Sequence, residues 1–91
     1  HQQKNPDALS LAEKAYQNAP KSAAIADTLG VILVKQGNIS QGIKVLEAAA
    51  KLAPNAYNIQ FHLAKAYSQS KNQKQAIEIL TRLLKIESNF L

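Results

Sequence analysis

Apolar residues return at spacings of three and four along almost the whole chain, with polar and charged residues between them. That period marks one buried face of an α-helix. It predicts five helices, over residues 6–18, 22–36, 39–52, 56–70 and 73–86. In the third, Ile43, Leu46, Ala49 and Ala50 line one face, with Ile39 and Val45 beside it. In the fifth, Ala76, Ile77, Leu80, Leu83 and Leu84 do the same. Breakers fall between the helices. Gly37-Asn38 can take the left-handed conformation that stops a helix. Lys71-Asn72 holds the matching place, where Asn tolerates that conformation better than most residues. Pro20 and Pro54 interrupt the helical pattern because proline lacks an N–H donor. Ser22 and Ser40 are the expected N-terminal caps. Such short loops force successive helices to lie antiparallel.

The pattern also repeats over a longer distance. A shift of 34 residues sets 23–56 against 57–90 without a gap, and eight positions are identical. They are Ile25/Ile59, Leu29/Leu63, Asn38/Asn72, Gln41/Gln75, Ile43/Ile77, Leu46/Leu80, Lys51/Lys85 and Asn55/Asn89. Val45/Ile79 and Leu52/Ile86 are conservative, and Gly42 faces the small Ala76. The same shift backwards places Ala8, Leu9, Leu11 and Ala15 opposite Gly42, Ile43, Val45 and Ala49, and Pro20 opposite Pro54. Residues 6–22 therefore read as the second helix of a partial repeat, followed by full repeats at 23–56 and 57–90. Asn89-Phe90-Leu91 reads as the start of a further unit. The expected architecture is a single all-α array over residues 1–91, built of antiparallel helix-turn-helix repeats. The chain begins without Met and reads as a piece of a longer protein.

A 34-residue period with two helices per unit resembles the tetratricopeptide repeat. The family pattern runs Trp, Leu-Gly, Tyr, then a small residue, an aromatic and a closing Pro. The first full repeat has Ala26, Leu29, Gly30, Leu33, Gly42, Leu46 and Pro54 at those places. The second has Gln60, Leu63, Ala64, Tyr67, Ala76, Leu80 and Ser88. Small residues at Gly30, Gly42, Ala49, Ala64 and Ala76 let paired helices approach closely. Both aromatics show departures, as does Ser88. The resemblance implies a right-handed superhelix with a concave groove lined by the first helix of each repeat. The run from Asp27 to Asn38 is further similar to repeats of large bacterial proteins tied to exopolysaccharide production and the exosortase (PEP-CTERM) sorting system. That similarity implies a bacterial scaffold of the periplasm or envelope.

Carried onto this chain, the family's groove positions include Asp27, Val31, Val34, Asn58, Phe61 and Lys65. Leu63, Ala64, Tyr67 and Ile59 already fill the core face of their helix, so Phe61 points elsewhere. It reads either as an anchor for a peptide or as packing against an adjacent repeat. Val31 and Val34 beside it would make a partly apolar strip suited to an extended or helical peptide. The Lys and Asn pair with which some members grip a terminal carboxylate is replaced by Asp27 and Val31. Asp27 itself reads either as a contact for a basic ligand or as a solvated charge at a helix start.

Composition narrows the chemistry. The net charge is +5, but the lysines are scattered, which suits a solvated helical surface better than a nucleic-acid face. There is no Cys, hence no thiolate site or cysteine nucleophile. His62 has no ligand one helical turn away, since Asn58, Ile59, Lys65 and Ala66 stand there, so no metal site is expected. The three Gly serve turns and packing, and the six acids are dispersed. No catalytic residue and no cofactor is expected. The expected role is a scaffold that binds a protein or peptide partner. The alternative is a spacer, or a segment that associates with itself through uncapped ends that include Phe90 and Leu91.

Overall fold

A computed structural model describes residues 6–88, and side chains over 8–85. Five helices follow one another: α1 (Pro6–Asn18), α2 (Ala23–Lys35), α3 (Ile39–Leu52), α4 (Tyr57–Gln69) and α5 (Gln73–Ser88). No strand occurs among the described residues. The expected all-α repeat fold is therefore the one observed. The proposed start of a further unit at 89–91 lies outside the described residues.

The helix ends show which local signals decided. The Ser22 hydroxyl accepts the Ile25 N–H at 3.3 Å and caps α2. Ser40 does not cap α3, because Asn38 takes that place and Ser40 lies inside the first turn. The Asn38 carbonyl already accepts the Gly42 N–H at 2.9 Å, so the helix begins before Ser40. The end of α2 is closed by Gly37 at φ +94°, with the Asn38 N–H donating to the Leu33 carbonyl at 2.9 Å. The end of α4 repeats this, with the Asn72 N–H donating to Tyr67 at 2.8 Å. There the left-handed residue is Lys71, at φ 70°, and not Asn72. The hydrogen-bond register assigns that conformation to the residue just before the donor, whatever its type. A lysine in this region is strained by about 1 kcal/mol. Lys71→Gly is therefore expected to stabilise the fold by about 0.5 kcal/mol, after the unfolded-state entropy of glycine is subtracted. Urea unfolding measures this; a lower midpoint in the variant would contradict it.

Consecutive helices pack on each other, and α2 also touches α4. Among the described residues, no Cα of α3 comes within 8 Å of α1 or α5. One layer, α2 and α4, is thus closed, while the layer of α1, α3 and α5 is splayed, so the α2/α4 side is the inside of the curve. The tightest crossing lies between α2 and α3. A Cβ added to Gly42 would stand 2.9 Å from the Gly30 carbonyl oxygen, and one added to Gly30 would stand 2.6 Å from Leu46 Cγ. Leu46 fills the centre with Ile43, Leu63, Ala64, Ala66 and Ile79 around it.

The fifth helix departs from its expected face. Ala76 and Ile79 are buried, but Ile77, Leu80 and Leu84 are exposed. Their repeat partners Ile43 and Leu46 are buried, and Ala50 half-buried, in the cluster to which α4 contributes. On α5 the corresponding side carries no such cover within the described residues.

Candidate partner-binding cleft

On the inner side, α2 and α4 leave a cleft of about 110 Å³. Val31, Val34, Leu46 and Ala66 line it with apolar atoms, while Lys35, His62, Lys65 and Gln69 contribute polar groups. Helical spacing explains the arrangement. Val31, Val34 and Lys35 share one face of α2, and His62, Lys65, Ala66 and Gln69 share one face of α4. Three of the six expected groove residues, Val31, Val34 and Lys65, meet here.

The other three are placed differently. Asp27 is buried, with 8% of its surface exposed, and so is not a solvated charge. Its Oδ1 lies 2.8 Å from His62 Nδ1. A carboxylate only accepts, so the imidazole Nδ1 carries the proton of this bond. The pair ties α2 to α4 and leaves the opposite edge of the imidazole ring toward the cleft. His62 had no partner on its own helix, and its partner comes from a residue 35 positions earlier. That separation is one repeat plus one residue, which is the only trace of the contact in the sequence. Phe61 is 49% exposed and does not line the cleft. It occupies the repeat position of Asp27, the position that in the preceding repeat is covered by the next first helix. Asn58 is exposed near the start of α4, and also lies outside the cleft lining.

A second polar contact lies on the outer side. The Tyr67 hydroxyl donates to the Glu47 carboxylate across α4 and α3. Burial of the phenol, the hydrogen bond and the charge of Glu47 together push the Tyr67 pKa up to about 12. The raised value means that the neutral phenol is favoured by folding. The associated stability is complete below pH 10 and is lost as pH rises through about 12. Ultraviolet titration at high pH is expected to show an ionisation near 12 that is missing from Tyr67→Phe. If the late phase survives in the variant, it belongs to another group.

These elements, two helices per 34-residue unit and an inner cleft between first helices, can be set beside known proteins. The sequence pattern of the tetratricopeptide repeat matches residues 1–55 and again residues 33–89. The chain belongs to the tetratricopeptide repeat family. Tetratricopeptide repeats are protein–protein interaction scaffolds, and this chain is a module of that kind. Its fold is similar to that of MamA, residues 41 to the end, from Desulfovibrio magneticus RS-1, with a TM-score of 0.83 and 23% sequence identity. The similarity covers 89% of this chain and 46% of that one, so the tetratricopeptide segment spans about half the length of the MamA chain. No curated protein sequence matches it. Among the described residues, no helix is long and apolar enough to cross a membrane.

Proposed function

We propose that the chain binds a segment of a partner protein in the cleft between α2 and α4. The observation that carries this is the cleft itself. Its floor of Val31, Val34, Leu46 and Ala66 lies beside two cationic side chains, Lys35 and Lys65. With Asp27 turned to His62, no carboxylate lines the cleft to offset them. The fitting segment carries an apolar side chain next to an acidic one, in extended or helical form. Protein is favoured over nucleic acid because the remaining lysines are dispersed over the helices.

The test is a selection from a peptide library on the intact chain, with the bound peptides then titrated against variants. Val31→Ser and Lys65→Glu are each expected to weaken binding at least tenfold, while Phe61→Ala, outside the cleft, leaves it within about twofold. Equal binding by wild type and both cleft variants would end the proposal. Loss of binding in Phe61→Ala alone would move the site to the exposed row of Tyr57 and Phe61 on α4.

A second reading, a spacer or self-associating segment without a dedicated ligand, is favoured by the exposed apolar side chains Ile77, Leu80 and Leu84 on α5. Sedimentation of wild type against Leu84→Glu separates the two, since only the second reading requires a concentration-dependent dimer. An envelope-associated, exopolysaccharide-linked setting rests on the similarity of residues 27–38 alone. Fractionation of cells making the full-length protein tests it.

A further inference from the structure

Besides its apolar floor and two lysines, the cleft between α2 and α4 is lined by an imidazole, that of His62. The ring keeps 34% of its side-chain surface exposed, while the Asp27 carboxylate behind it keeps 12%. Its Nδ1–H is committed to Asp27 Oδ1 at 2.8 Å, which leaves Nε2 for whatever enters the cleft. A bond at one ring nitrogen fixes the role of the other. In the neutral ring Nε2 has a lone pair and only accepts; in the cation it carries a proton and donates. The charged groups around the ring are few. Helix α2 contributes Asp27 and Lys35, and α4 contributes Lys65, one helical turn further on. From α3 only the apolar Leu46 lines the cleft, and α5 adds nothing to its lining. The Glu47 carboxylate of α3 is taken by Tyr67 on the outer side. Among the described residues the Asp27–His62 contact is the one ion pair, so no carboxylate neutralises Lys35 or Lys65. The preceding repeat lacks this device. Thr28 stands at the counterpart of His62 and donates its hydroxyl to the Ala24 carbonyl of its own helix.

We infer that His62 selects an acidic side chain of the partner through Nε2, and that capture of this acid draws a proton onto the ring; this deepens, and rests on, the peptide-binding role of the same cleft. A carboxylate only accepts, so it needs the Nε2–H that the neutral ring lacks. With Asp27 on one nitrogen and the partner's acid on the other, the cation is the favoured form. Wherever the free ring is neutral, one N–H bond therefore forms at Nε2 as the peptide binds. The proton comes from solvent, and no other bond changes. Where the free ring already carries the proton, none is taken up. The sign follows: affinity is greatest on the acid side, falls as pH rises through the range in which a histidine loses its charge, and levels off above it. Carboxylates and ammonium groups in general keep their charge between pH 6 and 8, so a change over that interval belongs to the ring.

The probe is the tightest peptide from the library selection at pH 6, paired with a copy in which its Asp or Glu is replaced by Asn or Gln. Calorimetry on the whole chain, in buffers of different ionisation enthalpy, gives both affinity and protons taken up. The acidic peptide is expected to bind about tenfold more tightly at pH 6 than at pH 8, and to take up protons at pH 8. The amide copy shows neither effect. His62→Gln places a group that does not titrate at similar reach, and is expected to level the affinity across this range without abolishing binding. Asp27→Asn keeps an acceptor for Nδ1–H but not the charge, and is expected to move the fall in affinity to lower pH. Val31→Ser weakens binding equally at both pH values, which separates the floor from the ring. A tightest peptide without an acid, equal affinity at pH 6 and 8, or a pH dependence that survives in His62→Gln would overturn the role of His62 and leave the peptide cleft standing. Capture of no peptide, or undiminished binding by Val31→Ser, would remove the cleft reading and this one with it. If either variant at the pair does not fold, the ring nitrogen shifts of His62 in the wild type, followed at pH 8 as the acidic peptide is added, report the same protonation, and unchanged shifts would overturn it.

Discussion

Replacing Leu46 with alanine is expected to lower the unfolding free energy by about 3 kcal/mol. Leu46 retains 1% of its surface exposure and is the largest fully buried side chain among those described. It touches the Gly30 backbone from α3, meets Ala66 and Leu63 of α4 in one cluster, and floors the inner cleft. Truncation therefore opens a cavity where three helices meet, and their backbones are too close-set to collapse into it. Leu80 is the built-in control. It holds the same repeat position but is 38% exposed, so Leu80→Ala is expected to cost less than half as much. Urea unfolding of both variants measures the difference. Equal losses at the two positions would mean that the central cluster does not carry the stability assigned to it.

Gly42→Ala is the second large effect, with an expected net loss of about 2 kcal/mol. The added Cβ would lie 2.5 Å from Val34 Cγ2, 2.9 Å from the Gly30 carbonyl oxygen and 3.1 Å from the Val34 nitrogen. Two of those three neighbours are backbone atoms, so no rotamer change relieves them and α2 must move off α3. Overpacking of this kind costs roughly 1–3 kcal/mol, or more where backbone must shift. The better helix propensity of alanine offsets about 1 kcal/mol of it. Gly30→Ala differs, because its nearest clash is with the Leu46 side chain, at 2.6 and 2.8 Å. Combining it with Leu46→Ala removes the obstacle. The double variant is thus expected to lose less stability than the sum of the two single variants. Thermal unfolding of the four proteins gives the coupling, and strict additivity would show that the clash is relieved elsewhere. In the second repeat Ala64 and Ala76 stand at the two glycine positions, so the α4–α5 crossing accommodates the Cβ atoms that the α2–α3 crossing does not.

What the sequence made legible was whatever depends on near neighbours along the chain. Helix existence followed from the three-and-four spacing, and the family followed from a gapless period with identities such as Leu29/Leu63 and Ile43/Ile77. The cap at Ser22 was readable because its acceptor and donor lie three residues apart. Less was legible where burial depends on the next repeat. Asp27 looked like a surface charge because nothing on α2 reveals that α4 will cover it. Phe61 shares the repeat position of Asp27, and the spacing along α4 does not tell whether a following helix covers it. Ile77, Leu80 and Leu84 have the spacing of a core face and are exposed, since periodicity specifies a face and not its cover. Residue preference points to Asn72 as the left-handed residue, but the hydrogen-bond register places that conformation at Lys71. Half of the expected groove residues, Val31, Val34 and Lys65, line the cleft, while Asp27 on the same face of α2 is taken up by His62.

The Asp27–His62 bond also says something about succession. It joins one position of a repeat to the following position of the next, so both partners depend on which unit comes after which. Were residues 23–56 placed in tandem with themselves, the aspartate would meet the counterpart of Thr28. Were residues 57–90 so placed, the histidine would meet the counterpart of Phe61. Only the order present in this chain brings acid and imidazole together. The bond thus works as an address label between otherwise similar units, and rearranged arrays made from these two repeats would lose it even where every apolar contact is kept.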